Sequence, residues 1–163
     1  MKEKIVIACS GGCDPITIGH TRLINNAVIR ARNKYGDRDY HTIFILNNDN
    51  WLVNKKGYAF MPEQERKEIL LSMEFVNEVV ITSHTLGDKD RSVCKELREL
   101  KPYIFANGGD RREDIPEFKV CEELGIDMMF DVGGGKVQSS SWLISNAIEH
   151  SREMEKEFLK FKE

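Results

Sequence analysis

Short runs rich in β-branched and aromatic residues alternate five times with longer amphipathic segments, and this alternation constrains the fold more than any other feature. The apolar runs are residues 5–9, 41–46, 76–82, 103–106 and 126–130. Strands that alternate with helices pair in parallel and are covered by those helices. The pattern therefore predicts an α/β fold: one Rossmann-like domain with a five-stranded parallel sheet and helices on both faces.

The segments between these runs carry apolar residues at the three- and four-residue spacing of a helix. They predict helices over residues 19–32, 61–75, 90–100, 115–124 and 139–163, and the segment after the second strand is expected to be a loop. With 163 residues and no linker or repeat, the chain is expected to form one domain over 1–163, with 142–163 as a C-terminal helix.

Composition narrows the classes of partner. The chain is 31% charged with a net charge of −3, and its Lys and Arg residues are scattered, which disfavours a nucleic-acid polymer as partner. The apolar run at the N-terminus is too short for a signal peptide or a membrane span, so we expect a cytoplasmic protein that binds no membrane. Four dispersed cysteines and four dispersed histidines predict reduced thiols and no metal site of the protein's own.

The loop after the first strand predicts a phosphate site. It reads Ser10-Gly11-Gly12-Cys13-Asp14-Pro15-Ile16-Thr17-Ile18-Gly19-His20 and leads into a helix. Paired glycines let the backbone approach a ligand, and the N–H groups at a helix start attract anions. His20 and Thr17 can add donors that stabilise charge on phosphorus. A turn with a capping threonine and a surface histidine is the simpler alternative.

A second glycine-rich loop, Gly133-Gly134-Gly135-Lys136-Val137-Gln138-Ser139-Ser140-Ser141, opens the last predicted helix. One serine suffices to cap a helix, so three hydroxyls beside a lysine and three glycines favour a second anion site. In open parallel sheets, ligands bind where the carboxyl ends of the strands meet. We therefore expect the two loops to line one cleft.

Two middle segments add candidate residues. Lys55 and Lys56 follow the second strand, where they are either an ordinary solvated pair or a source of charge for a phosphate. Asn107, Gly108, Gly109 and Asp110 follow the fourth strand, where glycines allow close approach to a base or ribose and Asp110 can accept from a ribose hydroxyl. A tight turn without a ligand is the alternative for this segment.

The first loop resembles the T/HxGH signature of the nucleotidyltransferase superfamily that contains the cytidylyltransferases, phosphopantetheine adenylyltransferase and the adenylyltransferase domain of ADP-heptose synthase. Cys13 departs from the phenylalanine usual in that signature, and the residues that match it are Gly11, Asp14, Pro15, Thr17, Gly19 and His20. The last loop is similar to the triplet of Ser or Thr with which the same superfamily begins its final helix. The middle segments resemble the ADP-heptose synthase domain most, including Lys56 and the helix residue Arg66.

The resemblance implies transfer of a nucleoside monophosphate from ATP or CTP to a small sugar- or polyol-phosphate, with release of pyrophosphate. It implies catalytic roles for His20, Thr17 and Lys56, and Mg²⁺ carried by the nucleotide. It also implies a homo-oligomer, and a nucleotide-binding set consisting of Gly11, Gly12, Cys13, Asp14, Gly19, His20, Asn107, Gly108, Gly109, Asp110, Ser139, Ser140 and Ser141.

Two alternatives stay open at this point. The start of the first loop also fits the S-G-G-x-D-S loop of the adenylating ATP pyrophosphatases, although Pro15 stands where that loop has serine, and Gly19-His20 is left unexplained. The fold can equally serve a non-catalytic nucleotide-binding domain, which would need the loops for binding alone. The preference for ATP or CTP is not fixed by these motifs.

Overall fold

The computed structural model describes residues 4–109 and 111–160, and in this part of the chain five parallel strands alternate with six helices. The strands are β1 (Lys4–Gly11), β2 (Asp39–Leu46), β3 (Glu78–Ile81), β4 (Ile104–Ala106) and β5 (Asp127–Met129). The helices are α1 (Ile18–Tyr35), α2 (Asp49–Lys56), α3 (Glu63–Leu71), α4 (Cys94–Leu100), α5 (Pro116–Leu124) and α6 (Ser140–Lys160). The predicted α/β class and five-stranded parallel sheet are confirmed.

The order of strands across the sheet is β3-β2-β1-β4-β5. Strand β1 is central, and its Ile7 pairs with Thr42 on one side and Ile104 on the other. The chain moves outward from β1 in one direction through β2 and β3, and then returns to build β4 and β5 on the opposite side. This reversal opens a crevice at the carboxyl ends of β1 and β4.

The apolar core lies in two layers, one on each face of the sheet. Helix α1 covers one face, where Ile24, Ala27 and Val28 pack with Ile7 and Phe44. Helices α4 and α5 cover the other face, where their buried residues pack with strand residues of the opposite orientation, and the members are Ala8, Ile45, Val93, Leu97, Phe105, Val120, Cys121 and Ile126. Burial on both faces agrees with strands that are apolar almost throughout.

The expectation of a loop after the second strand is wrong, because residues 49–56 form helix α2. The Asn48 side chain accepts a hydrogen bond from the Trp51 N–H, which caps the start of the helix. Gly57 ends it in the left-handed conformation. Only Trp51 and Leu52 of this helix are buried, so a two-turn helix presents too few apolar residues for its periodicity to be recognised.

Helix α6 begins two residues before the predicted C-terminal segment 142–163, and residues 161–163 lie outside the described part. It is a 21-residue helix in which no residue is buried. Within the described residues, none of the helices combines the length and the apolar character needed to cross a membrane. The assignment of residues 1–163 to one domain stays a prediction.

Candidate active site

A cleft of about 540 Å³ lies at the carboxyl ends of the strands, between the loops that follow β1, β4 and β5 and the helix that follows β2. The two glycine-rich loops therefore line one cleft, as expected. Of the described residues that line it, Asp14 is the acidic one, and the basic ones are Arg22, Lys55, Lys56, Arg111 and Lys136. A chain with a net negative charge thus concentrates positive charge here, which suits a ligand carrying several phosphates.

Two helix N-termini meet at this cleft. The Ser140 hydroxyl on the first turn of α6 donates to the Pro15 carbonyl at 2.6 Å, which ties the last loop to the first. A Cβ atom on Gly19 would lie 3.8 Å from the Gln138 carbonyl oxygen, so the two loops approach each other closely here as well. The first N–H groups of α1 and α6 have no partner within their helices, and the helix dipoles add positive potential there.

His20 is fixed by the residue that precedes its helix. Its Nδ1 accepts a hydrogen bond from the Thr17 backbone N–H at 2.9 Å, and the Thr17 hydroxyl lies 3.1 Å from the same nitrogen. Because Nδ1 is the acceptor, the neutral ring carries its proton on Nε2. Burial lowers the pKa of His20 below its ordinary value of 6.5, so the neutral form with one Nε2–H donor dominates at neutral pH.

Asp14 and Lys56 form a buried ion pair at the edge of the cleft. The Asp14 carboxylate accepts hydrogen bonds from the backbone N–H groups of Phe60 and Met61 at 2.8 and 2.7 Å. Lys56 Nζ lies 2.8 Å from Asp14 Oδ2 and 3.1 Å from the Asp14 carbonyl oxygen. Asp14 therefore links the first loop to residues 56–61. Lys56 lines the cleft, and the Asp14 carboxylate partly neutralises its charge.

Arg66 is a structural residue of the site, and the resemblance of its segment to a helix that contains an arginine does not predict this role. Its guanidinium is fully buried and donates to the carbonyl oxygens of Gly12, Asn47 and Met61 at 2.6, 2.7 and 2.9 Å. It also forms an ion pair with Asp49. Arg66 thus connects the first loop with the end of β2 and the start of α2. No periodicity could reveal this role, because its acceptors are mostly backbone carbonyls.

The glycines of the later loops permit the loops to touch. A Cβ atom on Gly109 would lie 2.5 Å from the Gly134 carbonyl oxygen, a distance that no side chain can adopt. Gly133 has φ +91°, and its Cβ would lie 3.0 Å from the backbone of Arg22 in α1. Gly108 and Gly109 line the cleft as predicted, whereas Asp110 lies outside the described residues.

The three serines occupy the rim of the cleft and differ in their partners. The Ser139 hydroxyl accepts from the Trp142 N–H at 3.2 Å and caps the helix, while Ser140 bonds to Pro15. Ser141 lines the cleft on the same turn. Capping accordingly accounts for Ser139, and Ser141 faces the space where a ligand would lie.

The other predicted binding residues lie in three kinds of place. Gly12, Cys13 and Thr17 line the cleft with Gly19 and His20. Gly11 ends β1, and its carbonyl accepts from the Asn47 N–H. Asn107 is buried, and its backbone forms hydrogen bonds with Met129 and Val132. These bonds connect the ends of β4 and β5 beneath the cleft.

Cys13 is the one thiol that lines the cleft among the described residues. It is buried and has φ +50°, a left-handed conformation that costs a non-glycine residue about 1 kcal/mol. Burial raises the pKa of the Cys13 thiol far above neutrality, so the side chain stays protonated. A thiolate nucleophile at Cys13 is therefore disfavoured.

No protein-family model matches the chain. The FAD synthase of Methanobrevibacter smithii is 26% identical over 121 residues, which span 74% of this chain and 72% of the relative. The FAD synthase of Ferroglobus placidus is 28% identical over 108 residues, 66% of this chain and 61% of the relative. For that of Pyrococcus horikoshii the identity is 26% over 128 residues, 77% of this chain and 78% of the relative.

A solved structure shares the fold. The lipopolysaccharide core biosynthesis protein from Thermoplasma volcanium superposes with a TM-score of 0.56 at 19% identity, over 77% of this chain and 93% of that chain. The parallel sheet and the cleft between its glycine-rich loops are those of a nucleotidyltransferase-like fold. The chain is similar to members of the T/HxGH nucleotidyltransferase superfamily and is a nucleotidyltransferase.

Proposed function

We propose that this enzyme transfers AMP from ATP to the phosphate of FMN, forming FAD and pyrophosphate. The observation that carries the transfer chemistry is the His20 Nε2–H donor at the point where two helix N-termini meet in a cationic cleft. The relatives named FAD synthase suggest the nucleotide and the acceptor. The small sugar- or polyol-phosphate acceptor that the sequence predicts stays a prediction, and FMN, which carries its phosphate on a ribityl chain, is the acceptor proposed here.

The chemistry is an in-line displacement. An oxygen of the FMN phosphate attacks the α-phosphorus of ATP, a new P–O bond forms, and the bond from the α-phosphorus to the bridging oxygen breaks, so that pyrophosphate leaves with the electron pair. The acceptor oxygen is already ionised at neutral pH, so no general base is required. Catalysis then rests on positioning and on stabilising the charge of the transition state.

Each side of the cleft has a role in this proposal. His20 Nε2–H and the N-terminus of α1 bind the α-phosphate, and Thr17 keeps the ring of His20 in place. The N-terminus of α6 with Ser141 and Lys136 binds the rest of the nucleotide. Lys55 and Lys56 supply positive charge on the side of α2, where the acceptor phosphate enters.

Mg²⁺ enters with the phosphates of ATP in this proposal. Within residues 4–109 and 111–160, no three His, Cys, Asp or Glu side chains are grouped as a metal site. Asp14, the acidic residue that lines the cleft, is turned toward Phe60, Met61 and Lys56. The cation's chemistry is to neutralise phosphate charge, and the chain contributes the helix N-termini and cationic side chains around it.

The test is to incubate the enzyme with ATP or CTP, Mg²⁺ and FMN, and to measure pyrophosphate and FAD. Parallel reactions replace FMN with glycerol 3-phosphate or a heptose phosphate. We expect FAD and pyrophosphate in equal amounts with ATP. Pyrophosphate release only with another acceptor would overturn the FMN assignment, and nucleotide binding without pyrophosphate release across the panel would favour a non-catalytic domain.

His20→Ala is expected to lower kcat by roughly 10²- to 10³-fold, because the transition state loses a donor at the α-phosphate. The matched control is His150→Ala, since His150 is exposed on α6 away from the cleft. Circular dichroism checks that both variants fold. Near-normal pyrophosphate release by His20→Ala would contradict the role of His20.

A further inference from the structure

Arg111 follows the glycines at the end of β4 and lines the cleft. Its backbone N–H donates to the Gly108 carbonyl at 3.1 Å. The neighbouring Gly109 lies against the last loop, where a Cβ atom on it would be 2.5 Å from the Gly134 carbonyl oxygen. The backbone of Arg111 is thus placed beside the loop that leads to the N-terminus of α6.

A buried carboxylate holds the side chain of Arg111. Guanidinium Nη1 lies 3.8 Å from Oε1 of Glu117, whose side chain is 4% exposed while that of Arg111 is 35% exposed. Burying a carboxylate costs free energy unless it is paired and hydrogen-bonded. Glu117 has such partners, because its Oε1 accepts from the Val93 N–H at 3.0 Å and it lies in the first turn of α5.

The geometry of this pair favours a second partner for Arg111. At 3.8 Å the two groups attract each other by charge without a hydrogen bond, so this contact uses none of the five N–H donors of the guanidinium. A planar guanidinium binds phosphate through paired donors, and more strongly than through a single contact. In the proposed function, the triphosphate of the nucleotide lies in the cleft that Arg111 lines.

We propose that Arg111 binds the triphosphate of the nucleotide, and that Glu117 is a positioning residue that orients the Arg111 guanidinium toward it. The proposal rests on the proposed function, because it assumes that the cleft takes a nucleoside triphosphate. It assigns Arg111 to the nucleotide and not to the acceptor, since Arg111 lies on the loop after β4, whereas Lys55 and Lys56 lie on α2.

A surface ion pair supplies a matched control. Arg98 of α4 and Glu123 of α5 form an ion pair at 2.8 Å on the protein surface, and neither lines the cleft. Arg98→Met and Glu123→Gln remove the same chemical groups as Arg111→Met and Glu117→Gln, and Glu123 lies on the same helix as Glu117. Thermal unfolding of all four variants shows that they are folded at the assay temperature, and Arg111→Lys tests a smaller change at the same position.

Calorimetric titration with inorganic tripolyphosphate isolates the phosphate contribution, because this probe carries no base or ribose. Arg111→Met is expected to weaken the binding of tripolyphosphate and of ATP by the same factor, roughly tenfold to hundredfold. Arg111→Lys keeps part of that affinity. Glu117→Gln, which can still accept from the Val93 N–H, weakens both ligands by a smaller factor, and the surface variants bind both ligands as the native protein does.

In turnover assays, Arg111→Met is expected to raise the KM for ATP and to leave the KM for the acceptor unchanged. Unaltered affinity of Arg111→Met for tripolyphosphate would overturn the proposal, as would an equal loss in Arg98→Met. Because the titration needs no acceptor, a failure to form FAD contradicts the proposed function, whereas the tripolyphosphate result decides the role of Arg111.

Discussion

At the scale of single residues, one histidine has two tasks that depend on each other. Its Nδ1 completes the start of α1 by accepting from the Thr17 N–H, and this contact leaves Nε2–H as the donor for a ligand. Thr17 occupies the position where many members of the superfamily have a first histidine. The threonine hydroxyl lies beside Nδ1 and adds no second titrating ring, so His20 is the single histidine that lines the cleft among the described residues.

The burial of His20 has a direct consequence for its titration. Because burial lowers its pKa in the native protein below the ordinary 6.5, the fold favours the neutral ring. Its contribution to stability is therefore present above pH 6.5 and is lost as the pH falls through the lower native pKa. NMR titration should give His20 a pKa below 6.5 with the neutral proton on Nε2.

Tripolyphosphate should raise the pKa of His20, since an anion at Nε2 favours the charged ring. A proton on Nδ1 of neutral His20, or a pKa indifferent to the anion, would contradict the arrangement.

At the scale of elements, the sequence was sufficient to predict those features of the site that depend on residue types with a local structural role. Glycines and hydroxyls at helix starts predicted that the two glycine-rich loops line one cleft, because these residue types have local reasons to be there. It was insufficient where function depends on contacts between distant segments. Helix α2 and the bonds from Arg66 to Gly12 and Asn47 join residues far apart in the chain, and neither apolar spacing nor a motif reports such contacts.

Arg66 permits a stability test of this element-level connection. Arg66→Met keeps most of the buried volume but leaves the carbonyl oxygens of three loop residues without their donor. We expect the free energy of unfolding to fall by roughly 3 kcal/mol or more, because each unpaired buried acceptor costs about 1–3 kcal/mol. Urea unfolding measures it. Arg98→Met, which removes a surface ion pair, should change stability by about 1 kcal/mol or less, and equal losses in the two variants would refute the connection.

At the scale of the whole molecule, helix α6 leaves apolar surface uncovered in the single chain. Its N-terminal half forms a groove of about 420 Å³ with Pro15 and Phe60, and its C-terminal half carries Met154 and Phe158, each 61% exposed. The stripe runs through residues 144, 147, 151, 154 and 158, the alternating spacing of three and four that pairs helices. In a two-fold dimer, the exposed apolar residues in the C-terminal half of one α6 would pack in the groove of the other copy.

The homo-oligomer expected from the sequence is therefore proposed to be a dimer in which α6 of each copy lies in the groove of the other. Sedimentation at micromolar concentration should show a dimer for the native chain. The double variant Met154→Glu/Phe158→Glu should sediment as a monomer, whereas Lys156→Glu on the same helix should leave the dimer intact. A native chain that sediments only as a monomer would refute this assembly.

We propose that the enzyme transfers AMP in this cleft and releases pyrophosphate. ATP labelled on either the α- or the γ-phosphate, incubated with the enzyme, Mg²⁺ and FMN, tests it most directly. We expect the α-label in FAD and the γ-label in pyrophosphate, and we expect His20→Ala to slow the appearance of both by roughly 10²- to 10³-fold. Release of the γ-label as orthophosphate, or an α-label that never leaves the nucleotide pool for an acceptor, would contradict it.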